Sequence, residues 1–274
     1  MQNLNQKYIN SVVKKALKED LNPRGDITTN LLNSQNEVIK AKIISKQSGI
    51  ISGLDFCKAS FKLVGKETVF KSKIKDGNKI EKNKIIAEIK AKTKTILTAE
   101  RTALNFLNHA SGISSLTNMY VKKVGNKTKI CCTRKTTPNL RLLEKYAVKM
   151  GGGYNHRYNL SDEILIKENH ISLNLDLKKL INKASKTKKT ITVEIENIKQ
   201  LKQVIGLKFK RILFDNMSAN SLKNCLKICK NRYETEYSGN ANLGNIKKIS
   251  KTGVDRISVG SITHSAKSFD SSLL

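Results

Sequence analysis

Thr190-Ile191-Thr192-Val193-Glu194-Ile195-Glu196 and Arg211-Ile212-Leu213-Phe214-Asp215 decide the fold. Each is a short run of β-branched and aliphatic residues that ends in a carboxylate, and the segments around them carry amphipathic helical spacing. That alternation is the mark of βα units around a buried parallel sheet. It continues in both directions. Strands are expected at Lys129–Thr133, Ile164–Lys167, Thr190–Glu196, Arg211–Asp215, Tyr233–Tyr237 and Arg256–Val259, with a helix marked by Leu140, Leu143, Ala147 and Met150 between the first two. Every expected strand ends in reactive or anion-binding groups: Arg134-Lys135, Lys167-Glu168, Glu194 and Glu196, Asp215, Glu236 with Ser238-Gly239, and Gly260-Ser261. An open sheet would spread these groups out, whereas a barrel brings them to one mouth.

The first part of the chain reads differently. Ile9, Val12, Val13, Ala16 and Leu17 recur at helical spacing and stop at Asn22-Pro23, which predicts an opening amphipathic helix. A turn follows at Arg24-Gly25-Asp26. Glu37 to Ser45 and Thr68 to Ile96 are short, β-branched and punctuated by Lys75-Asp76-Gly77-Asn78, as in antiparallel strands and hairpins, with a helix suggested by Phe56, Ala59 and Leu63 between them. The expectation is an α/β protein with an N-terminal α+β sandwich-like domain over residues 1–110 and a C-terminal open α/β barrel over 111–264. The tail, 265–274, is free to pack back on the first domain.

Composition narrows the function. A chain of 274 residues with 38% hydrophobic and 27% charged residues can build a sizeable core. Its formal charge of +30 would suit an anionic partner, but the lysines are scattered through every segment beside Asn and Ile, which reads as composition drift and not as a nucleic-acid patch. The five cysteines are odd in number and lack zinc-type spacing with histidine, so they read as core filling in a reducing compartment, the cytoplasm. The N-terminus has no apolar leader core and no run is long enough to span a bilayer, so a soluble, unexported protein is expected.

The densest chemistry lies in three consecutive loops: Thr133-Arg134-Lys135-Thr136-Thr137-Pro138, Gly151-Gly152-Gly153-Tyr154-Asn155-His156-Arg157 and Lys167-Glu168-Asn169-His170. Arginine offers a planar fork to carboxylate or phosphate and lysine a compact charge, so these loops together can hold several anionic groups. Glu194 and Glu196 are two apart and would share one face of a strand, where buried carboxylates persist only beside cations, a metal or hydrogen-bond donors. Ser238-Gly239 and Gly260-Ser261 follow the last two strands, where small residues let backbone N–H groups approach a phosphate.

Together these segments resemble quinolinate phosphoribosyltransferase over nearly the whole chain, adding Asp20-Leu21, Gly25-Asp26-Ile27-Thr28-Thr29 and Glu100-Arg101-Thr102-Ala103-Leu104-Asn105 to the loops above. The resemblance implies transfer of phosphoribosyl from phosphoribosyl pyrophosphate to quinolinate, giving nicotinate mononucleotide, carbon dioxide and pyrophosphate. It also implies Mg2+ carried mainly by the cosubstrate, and a homodimer whose small domain covers the partner's barrel mouth. Arg101 would then act in the partner's site. By the same resemblance Arg101, Arg134, His156, Arg157 and Lys167 hold the two carboxylates, and Lys135 stands where the substrates meet. Glu194 or Glu196, with Asp215, faces the ribose hydroxyls, and Ser238, Gly239, Gly260 and His264 receive the 5-phosphate. Two positions depart from the family pattern: Glu168 replaces the usual Asp, and Asn240 replaces a second Gly after Gly239.

Two other readings compete. One is a relative in the same fold that takes nicotinate, or another pyridine acid, without decarboxylation. The other is a basic nucleic-acid binder on a retired scaffold; against it stand an aromatic content of only 5% and the acidic Glu194, Glu196 and Asp215 at the expected mouth.

Overall fold

The computed structural model describes residues 4–167, 170 and 176–274. By its internal contacts the chain divides into two compact units, one made of 1–118, 136–152 and 263–274 and the other of 119–135 and 153–262.

In the first unit the opening helix α1 (Gln6–Leu21) buries Ile9, Val13 and Leu17 on one face, and Asn5 caps its start by accepting from the Tyr8 amide. The chain then runs through β1 (Val38–Ser45), β2 (Gly49–Ile50), α2 (Leu54–Val64), β3 (Val69–Ser72), β4 (Lys79–Ile80) and β5 (Ile85–Lys92). β1, β5 and β3 form an antiparallel sheet whose far edge is β12 (Ser271–Leu273), so the C-terminal tail adds a strand beside β1. One face of this sheet, with Ile43, Ile86 and Ile89, packs with Cys57 and Phe61 of α2 into the core of the unit.

The strand pattern ends earlier than the sequence suggests. Thr93, Thr95 and Ile96 favour strand locally, yet Thr93–Val124 is a single helix, α3, of 32 residues. Ile96, Ala99, Ala103, Leu104 and Leu107 lie on its buried side against the sheet, and this packing overrides the local β preference. Its exposed side carries Lys94, Leu97, Arg101 and Asn105, spaced by three or four residues. Helix α4 (Arg141–Met150) completes the unit. Glu144, fully buried on α4, accepts from the Thr137 amide and lies 3.0 Å from His109 Nε2 of α3.

In the second unit β6 (Lys129–Cys131), β7 (Ile164–Ile166), β8 (Ile191–Ile195), β9 (Arg211–Asp215), β10 (Glu234–Ser238) and β11 (Arg256–Ser258) are all parallel, in the order β6-β11-β10-β9-β8-β7. Successive strands are neighbours and the first lies beside the last, which is the order of a cylinder open along one seam, between β6 and β7. Tyr154 forms an isolated parallel bridge with Cys131 at that seam. Helices α5 (Leu177–Ser185), α6 (Ile198–Val204), α7 (Ala219–Cys229) and α8 (Ile246–Ser250) return the chain between strands, and the short α9 (Ser261–His264) follows β11. Asp176, Asn197 and Ser218 cap α5, α6 and α7 with side-chain acceptors, which sets where each helix starts. All five cysteines are buried free thiols, and among the described residues no helix is long and apolar enough to cross a membrane.

Candidate functional site at the barrel rim

Because the six strands are parallel and in register, the residues after each strand stand on the same rim. Around that rim the chemistry falls into three contiguous arcs. Arg134 and Lys135 follow β6, His156 and Arg157 occupy the seam beside it, and Lys167 follows β7, so the cations share one arc. Glu194 near the end of β8 and Asp215 at the end of β9 form an acidic arc. Ser238-Gly239 after β10 and Gly260 after β11 complete the circle with small residues. The structure therefore brings these residues of the second unit to one rim. Arg101, exposed on α3, and His264, exposed on α9, belong to the other unit.

Several expected groups differ in detail. Strand β8 ends at Ile195, so the two-residue spacing does not carry Glu196 onto the face of Glu194: Glu194 is partly buried and Glu196 lies past the strand, exposed. Glu236 is not a rim group. It is completely buried inside the barrel, one inward-facing position below Ser238, and pairs with Arg256 Nε at 3.1 Å and Arg211 Nε at 3.5 Å. Glu168 lies outside the described residues.

Electrostatics ties the cationic and acidic arcs together. Lys167 Nζ reaches the Glu194 carboxylate at 3.0 Å. The Arg157 guanidinium is half-buried, and burial, together with the charge of Arg134, lowers its pKa from the ordinary arginine value, while Glu163 and Glu194 act in the opposite sense. Two guanidiniums that sense each other beside a carboxylate make a site ready for a dianion. His156 is buried; loss of hydration pushes its pKa down, so the ring is neutral at neutral pH and contributes no cation there.

The phosphate-side loop depends on unusual backbone angles. Gly239 has φ of +102°, and a Cβ there would meet the Asn216 amide nitrogen at 2.6 Å. The next residue, Asn240, adopts φ of 48°, the left-handed region that asparagine tolerates better than most residues. Its carbonyl accepts from the Asn242 and Asn245 side chains at 3.2 and 2.9 Å. Asn240 thus keeps a glycine-like turn.

Sequence reasoning missed what lies beneath the rim. Glu163, Arg211, Glu234 and Arg256 join Glu236 in an ion network within the barrel, where aliphatic side chains usually pack. A signal was present: Arg211, Glu234, Glu236 and Arg256 all fall within strands of a parallel sheet covered on both faces. Charges at such positions have to be paired.

Fold and rim together define a βα-barrel enzyme that handles a polyanionic substrate. The family model for the quinolinate phosphoribosyl transferase N-terminal domain matches residues 26–111, and that for the C-terminal domain matches residues 113–274. A probable nicotinate-nucleotide pyrophosphorylase (carboxylating) of Methanocaldococcus jannaschii is 39% identical over 97% of this chain and 96% of its own length. The protein of the same description from Bacillus subtilis is 38% identical over 90% of this chain and 89% of its own. Among solved structures, the nicotinate-nucleotide pyrophosphorylase of Francisella tularensis superposes with a TM-score of 0.95 at 38% identity, covering 99% of this chain and 97% of that one. The chain belongs to the quinolinate phosphoribosyltransferase family.

Proposed function

We propose that this enzyme transfers the phosphoribosyl group of phosphoribosyl pyrophosphate to the ring nitrogen of quinolinate, with loss of carbon dioxide and pyrophosphate, to give nicotinate mononucleotide. The observation that carries the reading is the order of chemistry around the rim. Cations, carboxylates and small-residue loops follow one another as the pyridine dicarboxylate, the ribose and the 5-phosphate would along the nucleotide that forms before carbon dioxide is lost.

Arg134, Arg157 and Lys167 hold the two carboxylates, with the neutral His156 in the wall behind Arg157 and Lys135 between the two substrates. Glu194 and Asp215 face the ribose, and Glu196, exposed just beyond, is within the same arc. As pyrophosphate departs, positive charge develops on the anomeric carbon, and fixed carboxylates stabilise it without the reorganisation that water requires. Ser238, Gly239 and Gly260 receive the 5-phosphate. Once the pyridine nitrogen is alkylated, its positive charge stabilises the electron pair that stays on the adjacent ring carbon when the C–C bond breaks and carbon dioxide leaves; a proton from solvent then takes the vacated position, so the protein's own task is orientation and charge placement.

Among the described residues no three His, Cys, Asp or Glu side chains gather to hold a metal, whereas the rim offers separate carboxylates in Glu194 and Asp215. That donor set fits Mg2+ carried mainly by cosubstrate oxygens and waters, with Asp215 or Glu194 supplying a protein contact; when bound it neutralises the leaving pyrophosphate.

The assembly is a homodimer in which Arg101 serves the partner's rim. Support comes from the exposed stripe of α3, where Leu97 is 43% exposed one turn before Arg101, and from exposed Ile27 and Leu31, at 64% and 83%. Apolar side chains of this size flanking an exposed arginine mark a contact surface. The reducing state implied by five free thiols suits the cytoplasm.

Purified protein with quinolinate, phosphoribosyl pyrophosphate and Mg2+ should yield nicotinate mononucleotide and carbon dioxide. Mononucleotide from nicotinate but not from quinolinate would overturn the substrate assignment.

A further inference from the structure

The interior of a βα barrel is ordinarily filled by layers of branched aliphatic side chains. Here a fully buried carboxylate, Glu236 on β10, occupies it. Arg256 Nε lies 3.1 Å away on one neighbouring strand and Arg211 Nε 3.5 Å away on the other, and the Ser258 hydroxyl donates to the same carboxylate. Taking such charges out of water is expensive, and an apolar core of the same volume is often at least as stable, so stability alone gives little reason for this arrangement. What a paired, hydrogen-bonded network does supply is fixed geometry.

That geometry leads to the rim. His156 Nε2 faces Glu236 at 3.6 Å, while His156 Nδ1 accepts the backbone N–H of Arg157 at 2.8 Å. An acceptor nitrogen carries no proton, so the ring proton sits on Nε2, on the side of Glu236. The other end of Arg157 is held as well, since its Nη1 donates to the Glu163 carbonyl at 3.3 Å. The Glu163 carboxylate in turn pairs with Arg211 Nη1 at 3.2 Å. Backbone and guanidinium of Arg157 are therefore both fastened to one buried network.

We infer that Glu236 is a positioning residue for the reaction, fixing His156 in its Nε2–H form and through it the backbone from which Arg157 reaches the substrate carboxylate. The inference rests on the reading above that Arg157 meets the pyridine dicarboxylate. His156 is faced by Glu236 from β10, Glu163 from the segment before β7, Arg211 from β9 and Arg256 from β11. Two anions and two cations oppose one another, which leaves burial to keep the ring neutral. Glu236 touches no reacting atom, so its effect is on where Arg157 stands.

The test is the full-length E236Q enzyme. Gln keeps the shape but removes the charge that aligns the imidazole. The KM for quinolinate should rise by about tenfold or more, as expected for a displaced binding group, with the KM for phosphoribosyl pyrophosphate changed less than about twofold. Unchanged constants, or a parallel rise in both, would overturn the inference. Should E236Q fail to fold, the wild-type protein labelled with 15N-histidine decides, since the chain has only 4 histidines. His156 should show a protonated Nε2 and a bare Nδ1 at about pH 7.5, and should titrate below its ordinary value. A proton on Nδ1, or titration near the ordinary value, refutes it. The NMR result needs no turnover, so a chain inactive toward quinolinate would sink the substrate reading while leaving the tautomer assignment to stand or fall separately.

Discussion

Lys167 Nζ lies 3.0 Å from one carboxylate oxygen of Glu194 and 3.2 Å from the other, so a cation proposed for the dicarboxylate and an anion proposed for the ribose neutralise each other. The lysine is 40% exposed and the glutamate 11%, so the pair is partly wet and can be opened. On the proposed assignment, quinolinate takes Lys167 from Glu194, which then is released toward the ribose.

Replacing Glu194 by Gln should free Lys167 and so lower the KM for quinolinate, while kcat falls by about 10- to 1000-fold through loss of charge stabilisation in the transition state. Initial-rate kinetics with each substrate varied separately reads both constants. A raised KM for quinolinate would show that the pair does not compete with the substrate.

Gly239→Ala should impair phosphoribosyl pyrophosphate selectively. The added Cβ would meet Asn216 backbone nitrogen and Cα at 2.6 and 2.7 Å, and φ of +102° is strained for any L side chain, so the loop must move. The KM for phosphoribosyl pyrophosphate is expected to rise while that for quinolinate stays within about twofold. Asn240→Gly, by contrast, should leave activity intact and alter stability by less than about 1 kcal/mol, because the backbone is already left-handed at φ of 48°. Steady-state rates and thermal melts on the two variants would separate a required turn from a tolerated one.

If Arg101 works on the partner's rim, Arg101→Ala and Lys135→Ala chains should each be inactive as homodimers, yet regain activity when mixed. Random exchange in a two-fold dimer gives half mixed dimers with one intact site each, about a quarter of wild-type activity. No recovery after verified subunit exchange would place Arg101 outside a shared site.

Acid should weaken the fold through His156. In the unfolded chain its imidazole has the ordinary value of 6.5, whereas burial lowers it in the folded protein. As pH drops through 6.5 the unfolded chain takes up a proton that the folded one refuses, so stability falls; well above 6.5 both states are neutral and the effect vanishes. Urea unfolding at about pH 7.5 and 5.5 should show a loss of up to about 1.4 kcal/mol per pH unit from this group. His156→Gln should flatten that dependence, and an equally steep variant would assign it elsewhere.

Asp76 closes the turn Lys75–Asn78 onto the start of α2, accepting from the Gly53 and Leu54 amides at 3.0 and 3.3 Å and from the Tyr146 hydroxyl at 2.9 Å. Burial raises its pKa, and these donors oppose the rise. Removing it leaves the helix start uncapped, so Asp76→Ala should cost about 1–2 kcal/mol by denaturant titration. A change within a few tenths would mean that water replaces the cap at no cost.

The strands of the barrel and the polar groups after them were legible because β-branched runs on a parallel sheet are nearly continuous in sequence and their ends are not. Arg134, Lys135, Lys167, Glu194, Asp215 and Gly239 stand on the rim where that pattern puts them, Arg157 is marked by its glycine-rich loop, and the motif order points to the family. Tertiary structure alone decided the rest. Thr93–Ile96 look like strand and are helix, because the apolar side of α3 is buried against the β-sheet. Glu196 repeats Glu194 at strand spacing but lies one residue past the point where β8 ends. Glu236 reads like a rim acid and is a buried one, since its partners Arg211 and Arg256 come from strands 20 or more residues away in the chain. Local pattern fixes which way a side chain alternates along its own strand; only the closing of the barrel determines what it meets across the interior.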